Sequence, residues 1–213
     1  MVTTFAGSST GVAGKVDSVG TNAKFSNPSG IAYVAAYDAL FVAETNVDGG
    51  NNVIRRITLS DAVVTIFAGL GQVGFVNGVG TAALFYSLSQ LTVQSGGGVM
   101  FVADRNNNAI RRVTLPGAIV TTAVGSTTSG YTSNTGGSAS VWVTTVGAAL
   151  TDVGELFTSE LGNNVIRRMN TMISETTTVA CPTPARPLVS PPLLHHRQLS
   201  PIHKLPATRH QAR

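Results

Sequence analysis

With 213 residues, a formal net charge of +4 and only 11% charged residues, the chain is long enough for one domain with a tail and gives no reason for a second core. Its 23 glycines and frequent Val, Thr and Ile favour short strands and tight turns over long solvated helices, so the expected fold class is all-β. Residues 1–181 carry nine Lys/Arg against all ten Asp/Glu, a net −1, whereas residues 182–213 carry five basic residues and no acid; a basic face on the fold is therefore not implied, and nucleic acid is not an expected partner.

In chain order, Val2-Thr-Thr-Phe-Ala-Gly7 opens as a strand candidate. A Gly-rich crossing to Phe25 leads into a short apolar strand, Gly30-Ile-Ala-Tyr-Val34, then Leu40-Phe-Val-Ala-Glu44, Asn52-Val-Ile-Arg-Arg-Ile57 and Val63-Val-Thr-Ile-Phe-Ala-Gly69. The same order returns as Phe85, Met100-Phe-Val-Ala-Asp104, Asn108-Ala-Ile-Arg-Arg-Val113 and Ile119-Val-Thr-Thr-Ala-Val-Gly125. It returns again as Val141, Leu156-Phe-Thr-Ser-Glu160, Asn164-Val-Ile-Arg-Arg-Met169 and Thr176-Thr-Thr-Val-Ala-Cys181. Arg55, Arg111 and Arg167 are each 56 residues apart, the signature of an internal structural repeat. Val2–Gly7 reads as a leading copy of the last strand of a unit.

Each unit therefore holds four short strands, made antiparallel by Asn-rich turns at Asn51-Asn52, Asn106-Asn-Asn108 and Asn163-Asn164. One such sheet cannot bury both faces alone. Radial repetition lets each sheet cover its neighbour, which gives an incomplete β-propeller of about three four-stranded antiparallel blades over residues 1–181. Residues 182–213 hold seven of the nine prolines, all four histidines and no acid, a composition expected to remain a disordered Pro/His/Arg-rich tail.

The pattern Phe25, Asn27-Pro-Ser-Gly-Ile31, Leu40–Glu44, Asn51-Asn-Val-Ile-Arg-Arg56 and Val64–Gly69 resembles the NHL repeat, and the resemblance covers about residues 2–180. It implies a β-propeller, commonly six-bladed, that works mostly as a protein- or RNA-binding platform, with a few enzyme relatives. The third copy departs furthest: Thr144 and Val146 stand where Pro28 and Gly30 do, and Cys181 replaces Gly69 and Gly125. Propellers close with about 4–8 blades, so three blades imply that the rest comes from a longer chain or from another copy.

The candidate site residues are the recurring charges: Glu44, Arg55 and Arg56; Asp104, Arg111 and Arg112; Glu160, Arg167 and Arg168. Successive strand residues face opposite sides, so each Arg pair sends one guanidinium to each face. The structural reading is an acid–Arg ladder, because buried charges are paired; the alternative is an anion-binding ring of Arg near the axis. Gly69-Leu-Gly-Gln-Val-Gly74 matches a dinucleotide fingerprint formally, but no acid follows in residues 86–95 and the register makes it an inter-blade loop. Asn46–Asn52 holds a single carboxylate and reads as a turn insertion rather than a calcium loop.

No histidine lies in residues 1–181, so neither a Ser/His/Asp set nor a His-based metal site can be assembled there, and no catalytic residue, metal or cofactor is expected. A single cysteine allows no internal disulfide and leaves the compartment open. No membrane span or signal peptide is legible in the chain as given. The expected function is a non-catalytic binding or scaffold module with a protein partner, recognised by Gly-rich inter-blade loops, with self-association to complete a propeller as a further expectation. An RNA-binding propeller, a hydrolase or lyase relative, and a non-functional fragment are the alternatives.

Overall fold

The computed structural model describes residues 1–45, 51–130 and 146–171, and the backbone alone of 145 and 175–180. All of these fall within one compact unit, Met1–Pro182; the tail expected to be disordered, and most of the Asn46–Asn52 insertion, lie outside the described residues.

Three antiparallel sheets follow one another in the order of the repeats. Blade 1 contains β1 (Ser18–Val19), β2 (Pro28–Val34), β3 (Ala39–Glu44), β4 (Val53–Thr58) and β5 (Val63–Ala68), in the spatial order β1-β5-β4-β3-β2. Blade 2 repeats it with β6 (Gly78–Val79), β7 (Leu88–Val93), β8 (Val99–Asp104), β9 (Ala109–Thr114) and β10 (Ile119–Gly125). Blade 3 is β11 (Thr145–Leu150), β12 (Glu155–Glu160), β13 (Val165–Asn170) and β14 (Glu175–Ala180). The first long strands of successive blades, β2, β7 and β11, lie against one another. The sheets do not close into a ring.

The fold is thus all-β with propeller-type blades, and three details differ from the sequence expectation. Blades 1 and 2 gain a fifth, two-residue strand, because the crossing from one blade to the next runs back along its new blade's outer edge before turning inward (Ser18 opposite Val64, Gly78 opposite Val120). In blade 3, Thr145 and not Thr144 sits opposite the acid, since Thr145 pairs with Glu160 as Pro28 pairs with Glu44 and Leu88 with Asp104. The β11–β12 hairpin is one residue shorter than β7–β8, which shifts the first strand against the repeat.

Val2–Gly7 is the third difference: it is not a strand. An outer strand exists only beside the third strand of its own blade, as β5 beside β4 and β10 beside β9, and among the described residues no such neighbour flanks residues 2–7. Its end is nonetheless set like the others. The Gly7 N–H donates to the Gly20 carbonyl (3.1 Å) as the Gly69 N–H does to Gly80 (3.1 Å), with positive φ of 106° and 96° at the two glycines.

The Asn-rich turns have a conformational cause. Asn52, Asn108 and Asn164, which end the turns before β4, β9 and β13, all sit in the left-handed region at φ 48°, 51° and 55°, where Asn is better tolerated than most side chains. Between the blades, Val34, Phe41, Ala43, Ile54 and Ala68 of blade 1 pack against Phe85, Leu88, Leu91, Met100, Val102 and Val113 of blade 2. Phe101, Ala103, Ile110 and Val124 on the far side of blade 2 meet Leu156 and Met169 of blade 3. Each of these two joints therefore hides an apolar face of either blade on its neighbour.

Candidate functional site

Alternation along β4, β9 and β13 divides each Arg pair as expected for strand residues. Arg55, Arg111 and Arg167 are fully buried, while Arg56 and Arg112 are half-buried and Arg168 is exposed. A buried guanidinium must satisfy its donors or lose its hydration at a cost, and the blade supplies acceptors from three elements.

In blade 1, Arg55 Nη1 donates to Glu44 Oε1 at 2.7 Å and to the Lys24 carbonyl at 3.0 Å; Nη2 donates to Asp17 Oδ1 at 2.6 Å and to the Val16 carbonyl at 3.0 Å. Glu44 Oε2 accepts from the Ser26 N–H (2.9 Å) and from the Asn51 amide, whose other proton goes to the Gly14 carbonyl at 3.0 Å. The acid at the end of the second strand, the Arg of the third and the Asn of the intervening turn thus tie the incoming crossing to the blade. Charge-assisted bonds of this kind are the strong class.

Blade 2 repeats the network with one change. Arg111 Nη1 reaches Asp104 Oδ2 (2.8 Å) and the Leu84 carbonyl (3.1 Å), while Nη2 reaches the Val76 carbonyl (3.0 Å) and Asn77 Oδ1 (2.8 Å). Asp104 also accepts from the Tyr86 N–H (2.8 Å) and Asn107 Nδ2 (2.9 Å), and Asn107 continues to the Gly74 carbonyl (2.8 Å). Asn77 stands where blade 1 has Asp17. Aromatic rings take up part of the difference: the guanidinium lies 4.7 Å from the Phe75 ring centroid and 5.2 Å from that of Phe85, against 5.1 Å to Phe25 alone for Arg55. Burial pushes the Asp104 carboxyl up to about 6, with the bonds from Asn107, the Tyr86 N–H and Arg111 pulling the other way.

In blade 3 an ion pair of 2.8 Å joins Arg167 Nε to Glu160 Oε1, Glu160 Oε2 accepts from Asn163 (2.7 Å), and Asn163 donates to the Gly130 carbonyl (3.0 Å). Of the outward arginines, Arg168 comes within 3.6 Å of Glu155 on the blade surface, Arg56 lines a hollow with Tyr37, Phe41, Phe67 and Pro116, and Arg112 lies opposite Phe101 and Thr121 in the sheet. The buried guanidiniums sit on third strands, whereas the strands that meet at the centre are the first ones; no ring of Arg forms there among the described residues. Asp17 and Phe75 escaped the sequence reading, which took Asn51, Asn107 and Asn163 as turn residues only. The signal was present, since Asp17 and Asn77 are 60 residues apart, as are Gly14 and Gly74.

The Gly69–Gly74 loop behaves as an inter-blade connection: its glycines 69 and 71 take φ of 96° and 94° and no helix opens there. The close approach at Gly69 is specific, because an added Cβ would sit 2.7 Å from the Asn52 carbonyl; at Gly125 it would sit 2.3 Å from that of Asn108. Among the described residues, no three His, Cys, Asp or Glu side chains are grouped to hold a metal, and no helix is long and apolar enough to cross a membrane.

An apolar hollow of about 300 Å³ lies on the outward face of blade 1 between Phe5, Phe25, Pro28, Ile31, Leu40 and Ile57. The equivalent face of blade 2 is sealed. Ile31 is 56% exposed where its counterpart Leu91 is 1%.

No family model matches the chain, and no curated protein matches it. Among solved structures it is similar to a chain of a nidogen/laminin complex (13% identity over 73% of this chain and 49% of that one, TM-score 0.52). It is also similar to an auxiliary nutrient binding protein from Bacteroides ovatus (20% identity, 76% and 39% coverage, TM-score 0.52). The chain spans half or less of the length of these structures, and the likeness is one of fold, that of a β-propeller module.

Proposed function

We propose that this chain is a non-catalytic recognition module of NHL type whose partner is a protein. The observation that carries the reading is the outward face of blade 1, where Ile31, Leu40 and Phe25 remain partly or largely exposed around an apolar hollow, although the equivalent side chains of blade 2 are covered. An exposed apolar surface rimmed by polar residues marks an interaction site. The charges support the same reading. The buried carboxylates and guanidiniums described above are engaged in holding crossings to blades, and their bonds recur in every blade, as structural parts do and a single reaction centre does not.

Immobilised full chain and its Ile31→Glu variant, incubated with the proteome of the source, test this. Proteins retained by the wild type and released by the variant are expected. Equal retention by both, together with stoichiometric metal and turnover of ester or lactone substrates by the purified chain, would overturn it.

A further inference from the structure

The two ends of the blade series are complementary. Blade 1 presents outward the kind of face that blade 2 turns toward blade 1: Phe25, Pro28, Ile31 and Leu40 correspond to Phe85, Leu88, Leu91 and Met100, and each of the latter four is at most 1% exposed. Blade 3 presents outward the kind of face with which blade 1 covers blade 2: Phe157, Ser159 and Ile166 correspond to Phe41, Ala43 and Ile54. Ile166 is 39% exposed, whereas Ile54 and Ile110 are fully buried. The joint between blades 1 and 2 therefore shows what fits each free face.

A second mismatch lies at the outer edge of blade 3. The outer strands of blades 1 and 2 end in Gly69 and Gly125, where a Cβ would collide with the Asn52 or Asn108 carbonyl; at the matching position of the third repeat the sequence has Cys181 and not Gly. Residues 2–7, Val-Thr-Thr-Phe-Ala-Gly, carry the outer-strand sequence with the required glycine, and Gly7 already holds the same bond and the same positive φ. They lack a third strand beside them, and β13 (Val-Ile-Arg-Arg-Met-Asn) is a third strand.

We propose that residues 2–7 of one copy of this chain form the outer strand of blade 3 in a second copy, in place of β14, with the free face of blade 1 seated on the free face of that blade 3. This rests on the reading of the blade 1 face as a protein-binding surface and names its occupant. A head-to-tail joint either closes or propagates. Two copies bring six of the described blades together, within the range of about 4–8 in which rings close. The expected assembly is a two-fold dimer with six blades and two identical joints. The register is fixed by the β4–β5 pairing, in which Arg56 faces Thr65 and Ile54 faces Ala68: Thr3 of one copy lies opposite Arg168 of the other, and Ala6 opposite Ile166.

The test is made on the full chain with Cys181→Ser as background. Light scattering on the eluting protein should return twice the 22.0 kDa of one chain at micromolar concentration, and Ile31→Glu, at a half-exposed position, should return the single-chain mass with an unchanged β circular dichroism spectrum. Under mild oxidation, Thr3→Cys with Arg168→Cys should give a reducible band at twice the mass, since directly opposed strand residues lie within disulfide reach. Val2→Cys with Arg168→Cys, one residue out of register, should not.

A dimer that cross-links equally in both pairings, or open-ended polymers, would overturn the closed strand-exchanged ring. A stable monomer that still captures other proteins through Ile31 would overturn the second copy as occupant and leave the recognition reading standing. A monomer that captures nothing would remove both.

Discussion

Blades 1 and 2 bury the same guanidinium in the same place and compensate for it differently. Arg55 faces two carboxylates, Glu44 and Asp17, over one ring; Arg111 faces one carboxylate, Asp104, and the neutral Asn77, between two rings. Position 15 or 75 completes the exchange. Lys15 swings away to the Leu70 carbonyl at 2.9 Å, while Phe75 turns in against Arg111. The backbone carbonyls of the crossing, Val16 and Lys24 in blade 1 and Val76 and Leu84 in blade 2, are common to both. The conserved geometry thus belongs to the backbone cradle and the acid, and the remaining acceptor is open to substitution so long as Nη1 and Nη2 of the Arg keep two acceptors each.

The largest effect is expected from emptying one cradle. Arg111→Met leaves Asp104 buried without its cation and should cost about 3–5 kcal/mol in urea unfolding, whereas Arg111→Met combined with Asp104→Leu should recover most of that loss. If the double variant is no more stable than the single, the network is not the electrostatic unit described. The glycine closures come next. Gly125→Ala and Gly69→Ala should each cost about 1–3 kcal/mol from strain at positive φ, with Gly125→Ala the worse because its carbonyl stands closer (2.3 against 2.7 Å); the order of the two thermal midpoints checks this.

The pH dependence separates the blades more finely. Asp104 is raised from 3.8 to about 6 by burial, so between those values the folded chain binds more protons than the unfolded one. Its contribution to stability is fully present below pH 3.8 and is lost as pH rises through about 6. Urea midpoints from pH 4 to 7 should fall on that account, and Asp104→Leu/Arg111→Met should lack this component. The smallest effect is Asp17→Asn, which converts the blade 1 cradle to the blade 2 form. Asp17 is 44% exposed, so the loss should be about 0.2–1 kcal/mol, and a loss several times larger would show that blade 1 depends on its second carboxylate.

What the sequence by itself determined is the repeat and everything that follows from alternation: the four long strands of a unit, the Asn-rich turns between them, and the two Arg of each pair facing opposite ways. These are local properties, fixed by strand period and by the steric limits on φ. The acid–Arg partnership was legible for the same reason, because paired charges recurred at one spacing in all three copies. The roles of Asp17, Asn77 and Phe75 were not, since they lie in irregular crossings whose path against the blade is set only when the sheets stack. Only the tertiary structure decided that Val2–Gly7 is not a strand, that blade 3 slips by one residue, and that the two terminal faces match. A strand exists by its hydrogen-bonded partner, and a face is buried or free according to what packs on it; neither is a property of the residues that carry it.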